Sequence, residues 1–155
     1  MKIDPYWISG FVDGEGTFYI GINKNATMSA GYQVLPEFRV VQHVKDIQVL
    51  YAIKKYFGVG VVRVNHDDRY ELRIRSLDHL NMIIVPFFDK YQLHTQKKFD
   101  FIKFKKVINL MNKKDHLTED GIKRIIEIAC KMNRRNKPKA EQIKISLEGQ
   151  DKVHA

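Results

Sequence analysis

Two carboxylates, Asp13 and Glu15, stand two positions apart in the segment ISGFVDGEG (residues 8–16), with Gly10, Gly14 and Gly16 around them. Upstream, Asp4 followed by Pro5 reads as a helix cap and a first-turn proline, and Trp7, Ile8, Phe11 and Val12 recur at helical spacing. The pattern predicts a helix from Pro5 to about Gly14. Both acids then fall at its C-terminal end, the negative pole of the helix dipole, where carboxylates cost stability and a cation is favoured. That placement points to a bound metal. Carboxylate oxygen is a hard ligand and suits Mg²⁺, which is commonly held by one or two carboxylates together with waters and a phosphate. A calcium loop of the helix-loop-helix type is excluded, because no ladder of oxygen ligands follows. The plain alternative is a helix cap in which Gly14 or Gly16 takes the left-handed conformation and both acids are solvated.

The same helix carries a second pattern. Gly10 and Gly14 are four apart and Ser9 is small, so one side presents bare backbone that another helix could approach closely. Such spacing is often accidental in water, but this helix is apolar around its circumference, which predicts burial on more than one side. Its own core covers one side, and a second copy of the chain could cover the other.

Beyond Thr17 the period changes from helical to alternating. Phe18, Ile20 and Ile22 alternate with Thr17, Tyr19, Gly21 and Asn23, as in a strand covered on one face. After the loop NKNATMSAG, a second strand from about Tyr32 to Gln42 sets Val34, Phe38 and Val40 against Gln33, Glu37 and Arg39. Asp46 is placed to cap the helix IQVLYAIKKYF, which stops at Gly58. The run VGVVRVNHDDRYELRIRS (residues 59–76) reads as a second hairpin, with Val62, Val64, Tyr70, Leu72 and Ile74 on one face and Arg63, Asn65, Arg69, Glu71, Arg73 and Arg75 on the other. Ser76 opens a helix that Pro86 ends or kinks. Two amphipathic helices follow, over residues 95–114 and 117–135, each led by a threonine. The order predicts an α+β fold, a four-stranded antiparallel sheet with helices on one face and the other face exposed. One domain is expected over 1–135, with a polar tail over 136–155 that is partly ordered at best.

The exposed face is read two ways. Arg39, Arg63, Arg69, Arg73 and Arg75 are interleaved with Gln33, Asn23, Asn65, Glu37 and Glu71, which is compatible with an ordinary solvated surface. Arg, Asn and Gln are also the side chains that make bidentate contacts to guanine and adenine edges, and a two-stranded ribbon fits the major groove. Glu37 and Glu71 repel phosphate yet can accept from cytosine, so the mixture suits reading bases better than gripping backbone.

Composition agrees with a nucleic-acid partner. The 155 residues carry 27 Lys and Arg against 18 Asp and Glu, a formal charge of +9. The one cysteine, Cys130, lies in an apolar pattern and excludes a disulfide framework. The six histidines lack zinc-like spacing. No signal pattern or membrane-length apolar run is present, so a soluble, intracellular protein with no membrane partner is expected.

The segment ISGFVDGEG resembles the nine-residue LAGLIDADG motif of homing endonucleases, and the helix-strand-strand-helix-strand-strand-helix order matches that family's αββαββα core. A single motif is similar to the subgroup that acts as homodimers. The resemblance implies Glu15 as the metal ligand, with Gly14 beside it, and Asp13 as support for the helix end. It implies that Gln42, in FRVVQHV, positions water, and that a basic residue of TQKK acts at the site, Lys97 in preference to Lys98. It implies a dimer contact through Trp7, Gly10, Phe11 and Gly14, and DNA contact through Tyr19, Asn23, Gln33, Glu37, Arg39, Arg63, Asn65, Arg69, Glu71, Arg73, Arg75 and Lys98. The implied activity is Mg²⁺-dependent hydrolysis of both strands of double-stranded DNA at a long pseudo-palindromic site. Family habit implies an intron-encoded protein of an organelle. A non-cutting nucleic-acid-binding protein on the same scaffold, an intron RNA maturase or a DNA-binding regulator, is the other reading.

Overall fold

The computed structural model describes residues 2–132 and 137–154. Helix α1, Pro5–Glu15, begins where the Asp4 carboxylate accepts from the Tyr6 N–H at 2.8 Å, with Pro5 in the first turn. The cap satisfies an otherwise orphaned N–H, and proline pre-sets φ. Its end is not a left-handed glycine cap: Gly14 is still helical and Gly16 is extended, at φ −85° and ψ 161°. Gly16 is needed for space instead. A Cβ there would lie 2.5 Å from Val12 Cγ1 and 2.9 Å from the Val12 carbonyl oxygen, so the chain can turn from helix into strand only without a side chain.

Strands β1, Gly16–Lys24, and β2, Tyr32–His43, follow, and a 3₁₀ turn at Val44–Asp46 leads into α2, Ile47–Phe57. The Asp46 side chain makes no capping hydrogen bond; His43 Nδ1 caps the preceding turn instead, accepting from the Lys45 N–H at 3.1 Å. Gly58 ends α2 in the left-handed conformation, φ +74°, as its position predicts. Strands β3, Val61–His66, and β4, Arg69–Ile74, complete one sheet in the order β1-β2-β4-β3, with β2/β4 and β3/β4 antiparallel. The α+β class and the strand count agree with the alternation in the sequence. One irregularity, a register shift between Val64 and His66, falls at Asn65.

The helical stretch after Ser76 departs from expectation. It runs as α3, Leu77–His79, a wide π segment, Leu80–Ile84, and α4, Val85–Lys90. Pro86 therefore does not end it, and the irregularity it brings is a local widening. Proline has no N–H for the carbonyl four residues back, and the path widens just before it, with the Val85 N–H reaching the Leu80 carbonyl. Helix α5 spans Lys97–Asn112, and α6, Glu119–Cys130, starts at Thr118, whose Oγ1 accepts from the Gly121 N–H at 3.0 Å. Helix α7, Lys137–His154, occupies the stretch expected as a polar tail. Apolar periodicity is weak there, but Ile143 is buried and Lys123 on α6 holds Asp151 on α7 at 3.1 Å.

The chain clusters into two compact units, one of residues 1–18 and 36–102 and the other of residues 19–35 and 103–155. The division falls inside β1, β2 and α5 instead of at a linker. The first unit is built on a phenylalanine cluster: Phe18, Phe38, Phe57, Phe87, Phe88 and Phe101 meet at ring-centroid separations from 4.9 Å to 6.3 Å. These separations lie in the range favoured by offset and edge-on aromatic pairs, so ring geometry adds to what buried area contributes. In the second unit Val107, Ile108, Ile122, Ile125, Ile126 and Ala129 are buried, at the helical spacing that α5 and α6 show in the sequence.

Candidate active site

The two acids of α1 have different surroundings. Glu15, the last residue of the helix, is exposed. Asp13 is turned back onto the segment before α5: it accepts from the His94 N–H at 2.9 Å, from the Thr95 N–H at 3.2 Å and from Thr95 Oγ1 at 2.9 Å. Burial raises the Asp13 carboxyl pKa, and these hydrogen bonds, with His94 nearby, outweigh it and hold the pKa below the ordinary value. Asp13 is thus a brace between α1 and the start of α5. Ser9, treated in the sequence only as a small residue, makes a second brace, since its buried Oγ donates to the carbonyls of Tyr91 at 2.9 Å and Gln92 at 3.0 Å.

This bracing sets Lys97. As the first residue of α5 it sits beside the end of α1, and its Nζ donates to the Val12 carbonyl at 3.1 Å. A carbonyl in the last turn of a helix carries the negative end of the dipole, so the cation expected there is supplied by the chain itself. Burial lowers the Lys97 pKa, opposed by the carboxylates of Asp13, Asp100 and Glu15. Lys98 is directed elsewhere, with Nζ 3.4 Å from Gln92 Oε1. Gln42 lies near the end of β2 opposite Tyr70, and its Oε1 accepts from the His43 N–H at 3.0 Å. No hydrogen bond joins Gln42 to Glu15 or Lys97 among the described residues.

Donors for a metal are few in one chain. Among the described residues no group of three or more His, Cys, Asp and Glu could hold an ion. What α1 offers is one exposed carboxylate, Glu15, beside the Gly14 backbone at the negative helix end. That is the hard-oxygen, partial ligand set that Mg²⁺ accepts when phosphate and water supply the rest.

The outer side of α1 is apolar and open. Trp7 and Phe11 stack at 4.9 Å with planes 12° apart, Trp7 is 45% exposed, and a Cβ on Gly10 or Gly14 would meet nothing within 4 Å.

On β2, β3 and β4 the arginines predicted for one face do share it. The register sets Arg39 opposite Arg73, Arg63 opposite Glu71, and Arg69 opposite both His43 and His66. Arg63, Asn65, Arg69 and Arg75 are exposed, and Arg39 and Arg73 half-buried. Glu37 and Glu71 are instead buried, at 5% and 3% exposure, which the alternation did not reveal. Tyr19, Asn23 and Gln33 belong to the other compact unit, where all three are half-buried on β1 and β2. Among the described residues no helix is long and apolar enough to cross a membrane.

Comparison with known proteins gives concordant matches. Residues 8–108 match the family model described as LAGLIDADG endonuclease. The chain is 36% identical over 133 residues to a probable intron-encoded endonuclease of Neurospora crassa, covering 84% of this chain and 29% of that one. It spans 26%, 29% and 25% of the length of three curated relatives that it matches. Among solved structures, the homing endonuclease I-TnaI is 54% identical with a TM-score of 0.88, over 92% of this chain and 96% of that one. I-SmaMI, a LAGLIDADG homing endonuclease solved with cleaved DNA, is 37% identical with a TM-score of 0.84, over 86% of this chain and 45% of that one. The same endonuclease has been solved on an uncleaved DNA target with calcium ions.

Proposed function

The chain belongs to the LAGLIDADG endonuclease family, and from that premise we propose that it is a site-specific endonuclease that hydrolyses a phosphodiester in each strand of double-stranded DNA. The observation that carries this reading is the exposed Glu15 at the end of α1 with the partly buried Lys97 ammonium braced beside it at 3.1 Å from Val12 O. The hydrogen bond to Val12 O anchors the ammonium at the end of α1, and a charge that neutralises the negative transition state of phosphoryl transfer acts most strongly in such a place, where water is excluded.

In the proposed mechanism Glu15, with the Gly14 backbone, would hold Mg²⁺, whose chemistry when bound would be Lewis-acid charge toward phosphate oxygens and a lowered pKa of water. Lys97 holds its Nζ protons toward the phosphate and offsets the charge that develops there. Gln42, whose amide can donate as well as accept, orients the attacking water; Asp13 and Ser9 keep α5 and its lysine in register with α1. In the first unit the arginine face of β2, β3 and β4 would lie in the major groove, with Arg39, Arg63, Arg69, Arg73, Arg75 and Asn65 contacting DNA there; Lys98, and separately Tyr19, Asn23 and Gln33 of the second unit, are further proposed DNA contacts.

One chain offers one Glu15, whereas cutting two strands calls for two sites. We infer a homodimer in which two copies of α1 meet through Trp7, Gly10, Phe11 and Gly14, so that two Glu15 carboxylates lie near one two-fold axis. The intron-encoded relatives support an organellar compartment. The test is Glu15→Gln on the full chain with Mg²⁺. Cleavage is expected to fall at least about 100-fold, with binding of the same DNA in Ca²⁺ kept. Undiminished cutting overturns the assignment, and a wild type that binds nucleic acid but never cuts points to the maturase or regulator.

A further inference from the structure

Glu37 and Glu71 stand on the arginine-bearing face yet are the most deeply buried charged groups there, their side chains 7% and 4% exposed. Glu71 accepts from Asn65 Nδ2 at 2.9 Å and faces Arg63 Nε at 3.5 Å and Arg39 Nη1 at 3.9 Å. Glu37 takes Arg75 Nε and lies 3.4 Å from Arg39 Nε. The residues form one connected row, Arg75, Glu37, Arg39, Glu71 and then Arg63 with Asn65. Across it the carboxylates lie beneath, and the side chains of Arg63 and Arg75 stand half exposed, at 49% and 52%.

An acid on a surface that meets DNA has two chemical uses. It can accept from a cytosine amino group, which requires an accessible oxygen, or it can hold a donor that itself makes the contact. Burial under arginine removes the first. The second fits the atoms engaged. On Arg63 and Arg75 the acid meets Nε, which leaves both Nη groups, a planar pair of donors that matches O6 and N7 of guanine. Without the carboxylates, the guanidinium groups of Arg39, Arg63, Arg73 and Arg75 would crowd one small patch and repel. The lowered pKa of Arg73, set by burial and then by Arg75 and Arg63, reports that crowding.

Granting that the chain reads DNA with this face, we propose that Glu37 and Glu71 are positioning residues for sequence specificity, fixing Arg75, Arg39 and Arg63 for base contact while touching no base themselves. A long arginine side chain loses much rotamer freedom on binding, and a carboxylate that has already fixed its Nε lowers that cost for the matching base only.

The experiment selects bound sites from a randomised DNA pool in Ca²⁺, using the full chain as wild type, Glu71→Gln, Arg63→Gln, Arg39→Gln and Asn65→Ala, with thermal melts of each protein. Glu71→Gln is expected to bind the wild-type consensus about 10- to 100-fold less tightly, to bind unrelated duplex equally well or better, and to lose preference at the base positions that Arg63→Gln also loses. Glu37→Gln should pair with Arg75→Gln in the same way. A change of preference at a position that Arg63→Gln, Arg39→Gln and Asn65→Ala all leave unaltered means direct base contact and overturns the proposal. So does an unchanged selection, or a uniform loss of affinity at every position with a lowered melting temperature. If Glu71→Gln does not fold, Glu71→Asp, which keeps the charge but withdraws it by one methylene, decides: wild-type selectivity in a folded Glu71→Asp overturns it. A wild type that selects no consensus sinks the DNA-reading function instead.

Discussion

Asp13 and Glu15 are alike in chemistry and two residues apart, yet one accepts three hydrogen bonds and the other faces solvent. Their chain positions divide them, because residues two apart on a helix project about 200° apart. Lys97 completes the set and yields a prediction at this scale. Replacing it with Met is expected to lower kcat about 100- to 1,000-fold while DNA binding in Ca²⁺ changes little. Since burial lowers its pKa from 10.5, the ammonium loses its proton at lower pH than a free lysine. Only the protonated form offsets phosphate charge, so wild-type cleavage should fall on an alkaline limb centred below pH 10.5. A pH-rate profile checks this, and the same limb in Lys97→Met would assign it to another group. The two acids at the end of α1 and the arginines sharing one face were legible because each rests on a local pattern, whereas the preference for Lys97 over Lys98 came from the family resemblance. The partners that Ser9 and Asp13 brace were not legible, since they lie more than 80 positions away.

Helix α1 has one side buried in the chain and one side open. Its inner residues Ile8, Ser9 and Val12 are buried in the chain, while Trp7, Gly10 and Gly14 are exposed. Gly10 lies mid-helix with open space at its Cβ position, so a larger side chain is tolerated by the monomer and opposed only by whatever covers that side. Gly10→Leu is therefore expected to leave the fold intact, or to stabilise the helix by up to about 1 kcal/mol, while converting a dimer to a monomer. Sedimentation of both proteins checks it; a wild type that sediments as a monomer overturns the dimer. The period of each element foretold most of the others. The π segment before Pro86 was not foretold, because proline states which hydrogen bond is lost but not whether the helix breaks or widens. For α7 the sequence offered weak periodicity, and its order comes from contacts with α6.

Over the whole molecule the excess of nine positive charges favours any polyanion, while the proposed specificity rests on one face. The two are separable by salt. Binding to unrelated duplex is expected to weaken on the order of 1,000-fold between 50 mM and 200 mM salt, if about six phosphates are contacted. Equilibrium titrations should give the cognate site a tighter constant at every salt concentration; equal constants for both duplexes would mean that the arginine face reads nothing. Composition determined the charge, and periodicity determined the α+β class, the strand order along the chain and the motif helix with its two acids, since these depend on neighbours a few residues apart. Tertiary structure alone decided that Lys97 caps the end of α1, that His94 and Thr95 are the partners Asp13 braces and that Glu37 and Glu71 lie beneath arginines. Alternation assigns a residue to a face; how deep it lies on that face depends on what the adjacent strands bring over it.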